Sequence, residues 1–141
     1  MSQANIELIQ ECYARFGRGD VTGLIELMSP DVRWEFVGQP GDYPLFGARF
    51  GPEGVADFFR TMERSEQITA FEPRDVYAAR DKVFVQGHAA YVIKASGKTV
   101  ASDWAHIFTV RDGLIVEFRE FADTASIAAA HKASNDHTPT A

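Results

Sequence analysis

The sequence predicts an α+β fold: a curved antiparallel sheet packed against three helices and finished by a short C-terminal helix. Three observations carry this. Apolar residues recur at helical spacing near the N-terminus and again after residue 51. From Ile68 onward the pattern changes to long alternating runs joined by tight turns. No repeat or linker interrupts the 141 residues, a length that suits one domain with helices on one face of its sheet.

Ile6, Ile9, Tyr13 and Phe16 place a helix over residues 4–17, ended by Gly17 and Gly19. Asp20 can cap a second helix with Val21, Leu24, Leu27 and Met28 on one face; Ser29-Pro30 stops it. Val32, Trp34 and Phe36 then alternate with Arg33 and Glu35, as in a short strand. The Gly- and Pro-rich stretch GQPGDYPLFGARFGP reads as a loop. Its Tyr43, Leu45 and Phe46 suit either a lid or a loop tucked against the core. Pro52 opens a third helix, with Val55, Phe58, Phe59 and Met62 in one stripe. Residues 68–79 read as a strand interrupted at Pro73. Three further strands meet at Ser96-Gly97 and at Arg111-Asp112-Gly113. Asp123 can cap a last helix, which completes a single domain over residues 1–131; the polar tail 132–141 is expected to be loosely held.

Composition excludes several classes of function. The net charge of −6 and the absence of a basic run argue against nucleic acid or an anionic membrane as partner. No apolar run is long enough to span a bilayer, and the N-terminus lacks the basic region of a secretory signal. One cysteine, Cys12, precludes an internal disulfide and fits a cytoplasmic location. Eleven Phe, four Tyr and two Trp allow either dense packing or an apolar pocket.

The stretch DWAHIFTVRDGLIVEFREFAD decides which side chains face inward. A three-residue turn Arg111-Asp112-Gly113 would pair Val110 with Leu114, His106 with Phe118 and Trp104 with Glu120. Trp104, His106, Phe108, Val116, Phe118 and Glu120 then share the helix-facing side. His106 and Glu120 become diagonal neighbours, roughly 7 Å apart between backbones. A two-residue turn would instead turn Glu120 outward. A two-residue turn at Ser96-Gly97 brings Tyr91, Ala89 and Gly87 to the same face, leaving space before His106. Ile107, Ile115 and Phe121 fall on the outer face.

The element order, the Gly-Asp between the first two helices, and WAHIFTVRDGLIVEFREFAD resemble the SnoaL-like proteins. These belong to the nuclear transport factor two-like superfamily, with the ketosteroid isomerases and limonene epoxide hydrolases. The resemblance covers about residues 5–131. It implies a cone-shaped sheet around helices, a deep apolar pocket and a homodimer through the outer sheet face. Limonene epoxide hydrolases carry a catalytic carboxylate on a last strand resembling FREFAD, at the position of Glu120. Their Arg and Asp on an earlier strand would fall at Gly87 and Ala89, so epoxide hydrolysis is not expected. Ketosteroid isomerases place an acidic hydrogen-bond donor at the position of His106, a general base at that of Phe36 and a tyrosine near Cys12, next to Tyr13. Phe36 cannot take a proton, so steroid isomerisation by that set is not expected either.

The expected site is thus His106 and Glu120 as a catalytic pair, because a buried carboxylate is costly unless partnered. A structural ion pair is the alternative. Tyr13, Trp34, Phe36, Tyr43, Phe46, Phe58, Tyr91, Trp104, Phe108 and Phe118 are the expected substrate-binding wall. The expected activity is a cofactor-free isomerase, cyclase or hydratase working by acid–base chemistry on a small apolar molecule. A non-catalytic ligand-binding or protein-interaction dimer is the alternative. No metal is expected: Asp103 and His106, three apart on a strand, point to opposite faces. His88 and His131 read as surface residues, Cys12 as a small core residue and Asp123 as a cap.

Overall fold

The computed structural model describes residues 2–135. Helix α1 (Ser2–Gly17) and the short α2 (Val21–Ile25) lead into β1 (Met28–Phe36) and β2 (Gly47–Phe50). Helix α3 (Gly51–Ser65) follows, then β3 (Glu66–Ala79), β4 (Lys82–Ile93), β5 (Thr99–Arg111), β6 (Leu114–Ala122) and α4 (Thr124–Asn135). The six strands form one sheet in the order β2-β1-β6-β5-β4-β3. Every pairing is antiparallel except that of β1 with β6, which brings the first strand parallel to the last.

Local sequence accounts for most boundaries. Asp20 accepts a hydrogen bond from the Gly23 amide at 2.9 Å and so starts α2. That helix ends at Ile25, sooner than the apolar spacing suggested, and Met28 already belongs to β1. Pro30 therefore lies within a strand, in the irregular stretch between the Met28 and Arg33 pairings, where the ladder needs no amide from it. The loop after β1 is shorter than expected, because residues 47–50 pair with residues 33–36 as β2. The remainder of that loop is seated: Tyr43, Leu45 and Phe46 are buried, and the Phe46 ring lies against Gly38 where a Cβ would come within 2.6 Å of it. Pro73 sits at a register shift of β3, an edge strand, where proline is tolerated. Helix α4 continues past His131 to Asn135, taking in residues expected to be tail; residues 136–141 of that tail lie outside the described part.

The turns differ from expectation in a way that matters for the site. Arg111 pairs with Leu114, so Asp112-Gly113 is a two-residue turn with φ of 51° and 75°, the left-handed pair of a type I′ hairpin. Alone, that turn would point Glu120 outward. Between Val110↔Ile115 and Thr109↔Glu117 the register shifts by one residue, and this bulge restores Glu120 to the inner face. His106 consequently lies directly opposite Glu120 instead of diagonal to it. The two-residue turn pairs Ile115 with the inward-facing Val110 and so turns it into the core, where it is fully buried, and not onto the outer face. At the preceding turn Ile93 bonds the Lys98 carbonyl, so the loop spans residues 94–97. Val85, not Gly87, therefore faces His106; Gly87 pairs with Trp104, whose indole covers the space its missing side chain leaves.

The core lies between the concave face and α1 and α3. Ile9 and Cys12 from α1, and Val55, Phe58 and Phe59 from α3, meet Val32, Trp34, Val83, Val85, Phe108 and Phe118 from the sheet. Trp34 stacks on Phe118 with ring centres 3.8 Å apart, and Phe58 and Phe59 pack edge-on or tilted against Trp34. No described helix is long and apolar enough to cross a membrane.

Candidate active site

Three strands and one helix converge on the middle of the concave face. Phe36 of β1 pairs with Glu120 of β6, and Glu120 pairs with His106 of β5, so the three side chains stand in one row. His106 is 4% exposed; Trp104 stacks on it with ring centres 3.8 Å apart, and the nearly parallel Tyr13 ring lies to one side at 5.9 Å. Its Nδ1 bonds the Tyr13 hydroxyl at 2.7 Å, and its Nε2 faces Glu120 Oε2 at 3.5 Å. That second contact is too long for a strong hydrogen bond, and Nε2 has no other partner among the described residues.

The tautomer follows from these neighbours. A carboxylate accepts only, which favours the proton on Nε2. Nδ1 then accepts from the Tyr13 hydroxyl. Burial pushes the Tyr13 phenol well above its usual range, reinforced by Cys12 and by the Glu120 charge, so that hydroxyl keeps its proton. The result is a relay in which Tyr13 orients the ring and His106 presents Nε2–H beside an acceptor.

Two cavities meet at this row. The inner one, about 50 Å³, is lined by Tyr13, Trp34, Phe58, His106, Phe108, Phe118 and others. The outer one, about 70 Å³, is lined by Phe36, Tyr43, Glu66, Tyr91, Ser102 and Trp104 among others. Phe16, Met62, Phe71 and Glu120 line both, so these four side chains form the partition. Each cavity has room for a few waters. Besides His106 Nε2, the indole nitrogens of Trp34 and Trp104 are buried without partners among the described residues. Three unbonded N–H groups around an apolar interior leave it short of acceptors.

Of the residues expected in the wall, nine line one or other cavity. Phe46 lines neither; it packs edge-on against Phe36 and Tyr43. His131, expected at the surface, is buried: its Nε2 bonds the Tyr91 hydroxyl at 2.9 Å and its ring lies 4.4 Å from that of Tyr43. Burial among these rings lowers its pKa. The helix-period reading missed this because α4 is nearly all alanine around it, which hides which side turns inward. Glu66 was not expected at all. It is 6% exposed, accepts a hydrogen bond from the Tyr43 hydroxyl at 2.5 Å, and burial pushes its carboxyl up to about 7 against the pull of that bond. Lying where α3 becomes β3, it carries no periodicity signal.

The remaining candidates stand where the sequence placed them. Cys12 is buried and its thiol is pushed up to about 12 by desolvation, so it is a packing group and not a nucleophile. His88 faces outward and pairs with Asp103 across the strands at 2.8 Å. Asp123 caps α4 through Ser126. No three His, Cys, Asp or Glu side chains converge as a metal-ligand set among the described residues.

Comparison with known proteins matches this architecture. The model of the SnoaL-like domain family matches residues 9–118. A Mycobacterium tuberculosis protein named only as uncharacterized is 32% identical over 127 residues, 87% of this chain and 92% of that protein. An NTF2-like protein from Burkholderia xenovorans superposes with a TM-score of 0.84 at 29% identity, covering 93% of this chain and 98% of that one. TerC, co-crystallised with polyporic acid, superposes with a TM-score of 0.76 at 28% identity, covering 94% and 99%. The match runs from α1 into β6 over more than half of the chain, and the chain belongs to the SnoaL-like domain family.

Proposed function

We propose that this protein is a cofactor-free acid–base catalyst, an isomerase, cyclase or hydratase, acting on a small and mostly apolar carbonyl compound inside the cone. One observation carries the reading: His106 Nε2 is buried, unbonded among the described residues, and set 3.5 Å from a carboxylate in the wall between two cavities. A structural ion pair would close that gap. A pair left open, with Tyr13 holding the ring, suits a substrate oxygen or an acidic C–H entering between them. Glu120 is the base, since it borders both cavities and its carboxylate has no hydrogen bond among the described residues; His106 is the hydrogen-bond donor to the developing oxyanion. That TerC was co-crystallised with polyporic acid supports a small organic ligand for a fold of this kind.

The competing reading is a non-catalytic ligand-binding module. The small cavities favour it, as does Phe36 at the position where the related ketosteroid isomerases carry a general base. Deuterium exchange at the α-carbon of 2-tetralone, a compact apolar ketone, separates the two. Catalysed exchange that falls at least about tenfold in both Glu120→Gln and His106→Ala, with the double variant losing less than the sum, supports the enzyme. Calorimetric binding of 2-tetralone without exchange above the buffer rate supports the module and removes the catalytic reading.

A further inference from the structure

Glu66 lies in the same cone as the His106–Glu120 pair and has no part in that chemistry. It lines the outer cavity with Glu120, and its other side meets a surface cleft bounded by Arg60 and Glu63 of α3 and by Phe16 and Ile68. A ligand reaching Glu120 from that cleft passes Glu66. We propose that Glu66, held by Tyr43, is a second ligand-binding group of the cone: a hydrogen-bond donor for the oxygen of a neutral ketone or enol whose far end reaches Glu120.

The surroundings of Glu66 make it a donor. Oε1 accepts the Tyr43 hydroxyl, and Oε2 has no bond among the described residues. Tyr91 from β4 and the Glu120 carboxylate from β6 face it across the cavity; burial first, and then the Glu120 charge, disfavour a second negative charge there. No cation pairs with it among the described residues: Lys94, just past β4, is turned onto the Glu63 carbonyl, and His131 bonds Tyr91. A buried, unpaired carboxyl beside another carboxylate keeps its proton to about pH 7. Oε2–H is then free to donate. Trp104, whose indole N–H is unbonded among the described residues, lines the same cavity. The class of ligand follows: neutral, planar enough for an aromatic-walled slot, with an oxygen acceptor at the end away from Glu120. A carboxylate ligand is disfavoured by the two acidic side chains. This inference rests on the proposed function only for the ligand class; it does not require turnover.

The experiment is calorimetric titration of 2-tetralone into wild type, Glu66→Gln and His131→Gln at about pH 6 and about pH 8, a span that takes a group titrating near 7 from mostly protonated to mostly ionised. Wild type should bind about tenfold more weakly at the higher pH, the change in the fraction of protonated Glu66. Glu66→Gln keeps a neutral donor and should bind alike at both. His131→Gln, which removes the neighbouring imidazole, should retain the wild-type dependence. Infrared difference spectra of wild type give a readout that needs no variant: a protonated-carboxyl band lost between the two pH values should shift when the ketone binds. Wild-type binding that ignores pH, a dependence that survives in Glu66→Gln, absence of binding at both pH values, or a carboxyl band unmoved by ketone would each overturn the inference. Binding that follows Glu66 with no catalysed exchange would leave it standing and remove the catalytic reading alone.

Discussion

Replacing Glu66 by glutamine should make the protein more stable at alkaline pH. In the folded chain the carboxyl titrates at about 7, against 4.5 when unburied, chiefly through desolvation and with a contribution from Glu120. The native state thus holds a proton that the unfolded state has released throughout that interval. Stability from this group is fully present below about 4.5 and is lost as the pH rises to about 7, beyond which the loss is complete. At about 1.4 kcal/mol per factor of ten, the span corresponds to about 3 kcal/mol. Glutamine matches the shape and still accepts from Tyr43, but its amide hydrogens need partners, which returns about 1 kcal/mol. Urea denaturation at a series of pH values should show Glu66→Gln matching or slightly below wild type near about pH 5, and above it by about 2 kcal/mol near about pH 8. His131 acts in the opposite sense: its lowered pKa contributes stability that is present above its ordinary value of 6.5 and lost as the pH falls. Both proteins contain it, so it cancels in the difference. Curves for wild type and Glu66→Gln that run parallel across the whole range would show that Glu66 is not a desolvated acid and refute the reasoning.

Other outcomes follow from the same contacts. Tyr13→Phe keeps the ring stacked on His106 but leaves Nδ1 without its 2.7 Å partner, which should cost about 1–2 kcal/mol and release the Nε2–H tautomer; nitrogen NMR that finds Nδ1–H in wild type would contradict the assigned relay. The outer sheet face carries Tyr77, Phe84 and Ile107 as cross-strand neighbours, with Phe121 nearby, and we expect a homodimer through it. Phe84→Asp and Phe121→Asp should dissociate that dimer in sedimentation, and a monomeric wild type at micromolar concentration would end the idea. The backbone amides of residues 40–46 make local turn bonds only among the described residues, so they should exchange faster than those of the central strands and slow when ligand binds; protection equal to the strands without ligand would count against a moving lid.

The one-residue accuracy needed at the site came from two features whose effects offset each other. Sequence alone identifies Asp112-Gly113 as a turn and the alternation of both flanking strands, so the hairpin itself is legible. The choice between two and three turn residues is local and nearly degenerate in energy, and the bulge at residues 115–117 is set by how Ile115 docks into the core beneath Leu27. A three-residue turn without a bulge and a two-residue turn with one leave Glu120 on the same face. The expectation for Glu120 therefore survived, while that for Ile115 did not.

Apart from β2, the amino-acid sequence by itself determined the order of helices and strands and the inward set of Trp34, Phe36, His106, Phe108 and Phe118, because periodicity and turn chemistry act over a few neighbouring residues, while the family was legible as a resemblance of its motifs. Tertiary structure alone decided the parallel docking of β1 on β6, the bond between Tyr13 and His106 across 93 positions, and the burial of Glu66 and His131 against Tyr43 and Tyr91. A polar side chain at the junction of a helix and a strand, or on an alanine-rich helix, leaves no periodic mark. Its fate depends on which distant elements fold over it, and that is fixed only when the sheet curves and closes around the helices.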